Sequence, residues 1–303
     1  MTMKYLAIDI GGSAIKSAII DAEGNIYEKT SLPTPQTNFE DFMERLTQIV
    51  HWGNSLTHLS GIALSQPCVT NAETAEALSE GALIYIKNTN PAKLLGEKFN
   101  LPYSAENDGN CAALAEIWIG GAKTSNDIAL VVCGSGIGGA VVIDRKIKTG
   151  VNRFAGEFGM FVMGMDDAGM PLTWSFKGAT LSLVKDYAQR VGKDYRYLDG
   201  KKVFEYADAG DVDAIASVDS FFRYFAFGVH NIQHVYDPEL ILIGGAISGR
   251  HDFVERLTLQ LDWLNDQIEW LLARPKVAIC ECGADANLLG AVYHLLNNRM
   301  HQI

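Results

Sequence analysis

Apolar residues along the chain recur at two spacings, the short alternating runs of strands and the three-to-four-residue repeat of helices. Strands are predicted by the short runs, at 4–10, 15–21, 26–32, 59–64, 127–133, 139–144, 240–243 and 277–281. Helices are predicted by the longer repeat, at 39–56, 107–119, 173–190, 213–236, 252–272 and 286–298. The mixture of both kinds of element indicates an α/β fold.

The chain contains two similar openings, each with a buried strand, a glycine-rich bend with a small hydroxyl residue, and a second strand. The first bend is Gly11-Gly12-Ser13, and the second is Gly134-Ser135-Gly136-Ile137-Gly138-Gly139. This repetition indicates two related α/β halves that face each other across a cleft. We expect an N-terminal domain at 1–118, joined by the C-terminal helix 288–303, and a larger C-terminal domain at 119–287.

Composition narrows the classes of function. The 25 basic and 36 acidic side chains give a net charge of −11, which argues against binding to nucleic acids or acidic membranes in general. No apolar run reaches the ~18 residues of a membrane span, and the N-terminus has no signal-peptide pattern. Five scattered cysteines fit a reducing compartment better than a disulfide framework. We therefore expect a cytoplasmic protein.

The segment from Asp9 to Lys16 reads Asp-Ile-Gly-Gly-Ser-Ala-Ile-Lys and follows a buried strand. Its glycines allow backbone N–H groups to approach an anion closely. The Ser13 hydroxyl and the Lys16 ammonium could donate to phosphate oxygens, and Asp9 could hold a hydrated magnesium ion. An ordinary hairpin bend would use the same residues, so this segment alone favours neither interpretation.

Four segments, in order and at matching spacing, resemble the ROK family of repressors and sugar kinases over essentially the whole chain. They are Asp9–Lys16, Glu106–Glu116, Gly134–Gly139 with Ala155–Gly159, and Asp237–Gly245 with Gly283–Ala291. The resemblance implies the actin-like ATPase (ribonuclease H-like) fold, in which two α/β domains flank a cleft. It also implies transfer of the γ-phosphoryl group of ATP to a sugar hydroxyl, with Mg²⁺ arriving with the nucleotide.

The family's catalytic aspartate matches Asp108, which would take the proton of the attacking hydroxyl. The alternative for Asp108 is a helix N-cap, a position that aspartate often fills. The resemblance further implies that Asn88, Asn107 and Glu157 bind sugar hydroxyls together with Asp108. Loop or turn roles are the alternatives for Asn88 and Glu157, and Asn90 could take the place of Asn88.

The resemblance also implies a set of nucleotide-binding residues. They are Asp9, Gly11, Gly12, Ser13 and Lys16 in the first loop, Ser135, Gly136 and Gly138 in the second, and Gly244 and Gly245 beside the nucleoside. The last two leave room because they have no side chains, although a plain strand-to-helix turn would also use them. Asp9 is expected in the outer shell of the magnesium ion.

The chain departs from the family's usual structural zinc site. Met160 stands where a histidine is usual, and no cysteine follows between Phe161 and Lys177. Because tetrahedral zinc needs four ligands, usually thiolates and imidazoles, we predict no zinc. Cys280 and Cys282 lie too late in the chain to replace the cluster and are predicted as residues of a strand and its end. Ser175 stands near a usual sugar-binding glutamate, which leaves that contact open.

We expect an ATP-dependent sugar kinase that phosphorylates the 6-hydroxyl of a β-glucoside, ahead of N-acetylmannosamine or glucose. A sugar region without zinc leaves room for larger sugars, and 204–211 resembles zinc-less members that act on β-glucosides. The alternatives are a sugar-responsive repressor, which would carry a winged helix ahead of the phosphate loop, and a non-catalytic regulator. The resemblance implies a homodimer and leaves open whether Cys68 lines the sugar pocket.

Overall fold

The computed structural model describes residues 2–268 and 273–298. They fall into two compact units: unit 1 lies within 1–124, 149–154 and 281–303, and unit 2 comprises 125–148 and the described part of 155–280. The segment 149–154 therefore belongs with unit 1, although the sequence predicts it in the second domain. The predicted helix ends at 269–272 and 299–303 lie outside the described residues.

The described strands, in chain order, are β1 Lys4–Ile10, β2 Ala14–Asp21, β3 Ile26–Pro33, β4 Leu59–Gln66, β5 Thr70–Asn71, β6 Glu76–Ala77, β7 Tyr103–Asn107, β8 Ile128–Cys133, β9 Ile137–Ile143, β10 Lys146–Ile147, β11 Val162–Met165, β12 Pro171–Thr173, β13 Leu240–Gly244 and β14 Val277–Ile279. The described α-helices are α1 Phe39–Leu56, α2 Pro91–Phe99, α3 Asp108–Trp118, α4 Trp174–Gly178, α5 Thr180–Arg190, α6 Gly200–Asp208, α7 Val212–Tyr236, α8 Phe253–Gln267 and α9 Ala286–Asn297. Among these helices, none is long and apolar enough to cross a membrane.

Unit 1 is built on a five-stranded sheet in the order β3-β2-β1-β4-β7. The first three strands pair antiparallel, whereas β1 with β4 and β4 with β7 pair parallel. Helix α1 packs an apolar face that includes Phe42, Leu46 and Ile49 into the core of this unit. Because parallel strands end at the same edge of a sheet, the C-terminal ends of β1, β4 and β7 bring their last residues together.

Unit 2 repeats this plan with a sheet in the order β10-β9-β8-β13-β14. Here β8, β9 and β10 are antiparallel, and β8, β13 and β14 are parallel. Its core is aromatic: Phe221, Phe222 and Phe225 of α7 pack around Phe253 of α8. The shared plan agrees with the two similar openings of the sequence.

The structure corrects several predicted elements. The predicted helix over 173–190 is two helices, because Ala179 is extended and the Thr180 N–H bonds to the carbonyl of Gly134. Strand β14 ends at Ile279, so Cys280 and Cys282 lie beyond it. Helices α2 and α6 and strand β7 are present although the apolar pattern does not predict them.

Candidate active site

A row of polar residues crosses the C-terminal ends of the parallel strands in unit 1. Asp9 of β1 is in register with Ser65 of β4, which is in register with Glu106 of β7. Asp9 is only 8% exposed, and its Oδ1 accepts from the Ser65 hydroxyl at 2.9 Å and from the Asn287 amide at 3.0 Å. These two bonds fix the carboxylate through one oxygen and leave Oδ2 outside both of them.

The first glycine loop is held by two residues that follow β3. The carbonyl oxygens of Gly11 and Ser13 accept from the hydroxyl and the N–H of Thr34, at 2.7 and 3.1 Å. The carbonyl of Gly12 accepts from the Gln36 amide at 2.7 Å. Three successive peptide groups are thereby oriented, as an anion-binding loop requires.

This loop uses glycines because neighbouring atoms lie close to the positions that Cβ atoms would occupy. Neither Gly11 nor Gly12 lies in the left-handed region. A Cβ on Gly11 would lie 2.8 Å from the carbonyl oxygen of Ala14, to which the Gly11 N–H also donates at 3.0 Å. Lys16 of β2 is exposed and lies directly across from Asp9, so both residues occupy the same face of the sheet. The structure thus brings Asp9, Gly11, Gly12, Ser13 and Lys16 to one edge of unit 1.

Asp108 is the first residue of α3, and Asn107 is its N-cap. The Asn107 Oδ1 accepts from the N–H of Asn110 at 3.1 Å, so the capping role, which is the alternative for Asp108, is filled by its neighbour. The Asp108 Oδ1 accepts from the N–H of Gly109 at 2.8 Å and from Asn107 Nδ2 at 3.0 Å. The carboxylate is therefore oriented at the positive end of a helix, where negative charge is stabilised.

The Asn107 side chain is mainly occupied by protein partners. Besides its cap bond and its bond to Asp108, its Nδ2 donates to the carbonyl of Cys68 at 3.1 Å. Its sugar contact stays a prediction that would use the remaining acceptor capacity of Oδ1. Cys68 itself is buried, and burial raises the pKa of its thiol to about 11. The structure therefore ties Cys68 to this site through its backbone carbonyl.

Glu106 is a site residue that the sequence analysis does not single out by role. It is 2% exposed, and its Oε1 accepts from the N–H of Asn107 at 2.7 Å and from Asn110 Nδ2 at 3.0 Å. Burial raises the pKa of Glu106, although these hydrogen bonds and the charge of Arg153 act in the opposite direction. The position of Glu106 immediately before the Asn107-Asp108 pair is the sequence feature that could have indicated its place in the site.

Asn88 and Asn90 have different surroundings in the structure. Asn90 caps α2 by accepting from the N–H of Lys93 at 3.0 Å, and its Nδ2 donates to the carbonyl of Thr74 at 2.6 Å. Asn88 is exposed in the left-handed region, with φ 58°, and its side-chain amide has no hydrogen bond among the described residues. Asn88 is therefore the better candidate for a ligand contact.

In unit 2 the second glycine loop is shorter than the sequence predicts. Strand β8 ends at Cys133 and β9 begins at Ile137, so the bend is 134–136, closed by a bond from the Gly134 N–H to the carbonyl of Gly136 at 2.9 Å. Gly138 and Gly139 lie within β9, because the antiparallel ladder continues to the bend. A Cβ on Gly138 would meet nothing within 4 Å, so this residue presents open backbone beside the exposed Ser135.

Glu157 follows a turn that only glycine can make. Gly156 has φ 96°, and a Cβ there would lie 2.9 Å from the Cα of Ala140. Glu157 is exposed and begins the 3₁₀ turn Phe158–Met160, and its carboxylate has no hydrogen bond or ion pair within the described part of the chain. Ser175, near the usual glutamate position, is instead hydrogen-bonded to the backbone of Ile137.

The second pair of glycines, Gly244 and Gly245, stands at the end of β13. Gly245 has φ 94° and ψ 169°, and a Cβ on it would lie 2.1 Å from the carbonyl oxygen of Cys133. A cavity of about 620 Å³ adjoins the following 3₁₀ turn. Its lining includes Thr180, Gly200, Phe204, Ala246, Ile247 and Arg250.

Arg250 forms a rigid wall of this cavity. Its guanidinium lies 4.6 Å from the centre of the Phe204 ring and binds Asp208 through two hydrogen bonds of 2.9 and 3.0 Å. Asp252 accepts a further bond from Arg250 at 2.9 Å. A flat, charged group that is fixed in this way can stack on a planar ligand. Neither Arg250 nor Phe204 could be assigned to the site from the sequence.

The described residues contain no group of three or more His, Cys, Asp or Glu side chains placed to share a metal ion. Asp9, held through Oδ1, is the carboxylate of the first loop that could contact the water shell of a magnesium ion.

Comparisons with known proteins agree with this geometry. The model of the ROK family matches residues 5–297. A ROK family protein from Streptococcus pneumoniae TIGR4, solved in complex with sucrose, superposes with a TM-score of 0.89 at 33% identity, covering 98% of this chain and 99% of that one. Beta-glucoside kinase of Klebsiella pneumoniae is 31% identical over 294 residues, 96% of either chain. Beta-glucoside kinase of Listeria monocytogenes is 30% identical over 298 residues, 97% of this chain and 98% of that one.

The predicted actin-like ATPase fold is confirmed by this solved ROK family structure together with the two sheets described above. The match to the family model extends over nearly the whole chain, from the first strand to the last helix. The chain belongs to the ROK family.

Proposed function

We propose that this protein is an ATP-dependent sugar kinase that phosphorylates the 6-hydroxyl of a β-glucoside. The observation that carries the proposal is the Asp108 carboxylate, which is held at the start of α3 by Gly109 and Asn107. Phosphoryl transfer to an alcohol needs a base near the attacking oxygen, and an oriented carboxylate is suited to that role. Catalysis by Asp108 therefore requires a sugar whose 6-hydroxyl reaches this carboxylate.

The proposed sugar ligands are Asn88, Asn107 and Glu157. Asn88 and Glu157 are exposed and have no side-chain hydrogen bonds among the described residues, so each could bond a sugar hydroxyl without first losing a protein partner. Asn107 would act mainly by holding Asp108 in place. Amides and carboxylates suit this work because each can bond two neighbouring hydroxyls.

The nucleotide is proposed to bind through two loops and one cavity. Gly11, Gly12, Ser13 and Lys16 would contact one part of the phosphate chain, and Ser135, Gly136 and Gly138 another. The nucleoside would enter the cavity beside Gly245, where the planar base could stack on the Arg250 guanidinium. Magnesium bound to the phosphates would supply charge neutralisation, with Asp9 holding its water shell.

The preference for a β-glucoside rests on two features and on the relatives. Met160 is 66% exposed where the family usually has histidine, and the Ser175 hydroxyl is hydrogen-bonded to the backbone of Ile137. We propose that neither residue makes a polar contact to a small sugar, which would favour a substituted one. Two relatives at 30–31% identity are beta-glucoside kinases, and the Streptococcus protein was solved with the disaccharide sucrose. N-acetylmannosamine and glucose are the alternative substrates.

The test compares wild-type protein with Asp108→Asn. Asparagine keeps an oxygen for the Gly109 N–H but cannot take a proton, so we expect kcat to fall by about 10² to 10⁴ while the sugar Kd stays within about threefold. ADP release is measured with cellobiose, N-acetylmannosamine and glucose, and sugar binding by calorimetry. Asp213→Asn, in the first turn of α7, is the matched control.

Two outcomes would contradict the proposal. Undiminished turnover in Asp108→Asn would remove Asp108 as the base. If the wild type bound a sugar but released no ADP from ATP with any of the three sugars, the non-catalytic regulator would be favoured instead.

A further inference from the structure

Ser175 joins α4 to the strand that follows the second glycine loop. Its Oγ accepts from the N–H of Ile137 at 3.0 Å and also lies 3.4 Å from the carbonyl oxygen of the same residue. Ile137 is the first residue of β9, directly after the bend 134–136. One hydroxyl therefore contacts both polar groups of the peptide backbone where the loop ends.

The start of the loop is held by the same part of unit 2. The N–H of Thr180, at the start of α5, donates to the carbonyl of Gly134 at 3.0 Å. The bend thus has one fixed point at Gly134 and another at Ile137, and both come from the segment 174–180. A three-residue turn that is fixed at both ends cannot rotate its peptide groups independently.

The contact between Ser175 and Ile137 requires a glycine at position 159, because a side chain there would occupy the same space. A Cβ on Gly159 would lie 2.4 Å from the Ser175 Oγ and 2.2 Å from the carbonyl oxygen of Ile137. A Cβ on Gly136 would lie 3.4 Å from the same Oγ. The turn that carries Glu157 therefore ends against the same hydroxyl that holds the glycine loop.

We infer that Ser175 is a positioning residue for the second glycine loop, which it holds in the conformation that binds the nucleotide phosphates. This inference rests on the proposed function, since it assumes that Ser135 and Gly136 contact phosphate. In this role Ser175 acts through its contacts with the backbone of Ile137. Loss of the Ser175 hydroxyl would weaken nucleotide binding, because the loop would then lose more conformational entropy when the nucleotide binds.

The test compares Ser175→Ala with Ser182→Ala. Ser182 is a matched control because it is also half-buried nearby, but its hydroxyl bonds to the carbonyl of Ala179 in its own helical turn. We expect the Kd of ADP, measured by calorimetry, to rise about five- to tenfold in Ser175→Ala, as the loss of one hydrogen bond predicts. The sugar Kd should stay within about twofold, and Ser175→Thr should restore ADP binding at least partly.

Hydrogen exchange of the peptide that contains Ile137 separates this inference from the proposed function. Without any ligand, its amide should exchange about fivefold faster in Ser175→Ala than in wild type, and at the wild-type rate in Ser182→Ala. Unchanged exchange at Ile137, or a rise in the sugar Kd without a rise in the ADP Kd, would overturn the inference. Faster exchange in a protein whose wild type binds no ADP would support the hydroxyl's role in the loop and overturn the proposed function.

Discussion

Substituting alanine for Gly245 would place a Cβ atom where the backbone leaves no room for one. Gly245 has φ 94° and ψ 169°, a region that is essentially restricted to glycine. The new Cβ would lie 2.1 Å from the carbonyl oxygen of Cys133 and 2.8 Å from its carbonyl carbon. Both are backbone atoms at the end of β8, so no rotamer change can relieve the contact.

The loss of stability in Gly245→Ala has two causes, the backbone conformation and the contact with Cys133. The unfavourable backbone conformation costs about 1–3 kcal/mol. Relieving the clash requires the end of β13 to move away from β8, with which it is in parallel register up to Gly244 and Val132. We expect Gly245→Ala to lower the free energy of unfolding by about 3–5 kcal/mol in all, a large part of the ~5–15 kcal/mol of a typical protein.

The neighbouring glycine provides the control. Gly244 does not have a positive φ, and a Cβ on it would lie 3.1 Å from the Cys280 Sγ, a side-chain atom that can move. We expect Gly244→Ala to cost about 1 kcal/mol or less. Urea unfolding followed by circular dichroism measures both variants. If the two alanine variants unfolded within 0.5 kcal/mol of each other, roughly the scatter of surface substitutions, the argument from backbone geometry would be refuted.

Three further substitutions test parts of unit 1. Burial opposes ionisation of Asp21, but hydrogen bonds from Asn25, Tyr27 and two backbone N–H groups lower its pKa to about 2. Because the folded pKa is depressed, Asp21→Asn should lower the free energy of unfolding by about 1–2 kcal/mol at pH 7, and this difference should disappear as the pH falls from 4 to 2 in urea titrations. Asn90→Ala should cost about 1 kcal/mol of stability through loss of the α2 cap, with an unchanged sugar KM. Asn88→Ala should raise the sugar KM severalfold with unchanged stability, and the opposite pattern would exchange the two roles.

The elements that could be predicted from the sequence are those whose burial follows a regular period. Helix α1 buries Phe42, Leu46, Ile49 and Val50 at helical spacing, and its predicted bounds are those observed. Strand β7 could not be predicted, because two of its buried residues, Ser104 and Glu106, are polar. Their burial depends on partners from distant parts of the chain, which periodicity does not contain.

The glycines of the second loop indicate where a loop lies in the sequence, but they predict its C-terminal boundary wrongly. Gly138 and Gly139 are predicted in a loop because glycine is rare in strands. They are held in β9 by pairing with β8, which only the folded sheet specifies. Gly139 also makes room for the Phe158 ring, which would lie 2.5 Å from a Cβ there. The identity of the loop was readable from residue types, whereas its length depended on the partner strand.

Hydrogen-bond partners were the least predictable part of the candidate site. The sequence places Asn107 and Asp108 together but does not show that the first caps α3 and orients the second. The sequence also leaves open whether Ser175 contacts the sugar, and it does not predict the hydrogen bond that Ser175 forms with Ile137. Both distinctions depend on distances of about 3 Å between side chains and backbone, which are set by tertiary packing.

The segment 160–177, where we predict no zinc, has an internal source of order. Phe161 stacks on Trp174 with ring centres 6.2 Å apart, and the backbone N–H of Trp174 donates to the backbone carbonyl of Phe161 at 2.7 Å. Trp174 is fully buried, contacts Phe225 edge-on, and sits so close to Gly228 that a Cβ there would lie 2.0 Å from its ring. A small loop needs such an anchor when it has little core of its own. Because Ser175 directly follows Trp174, the same anchor fixes the hydroxyl that holds the second glycine loop.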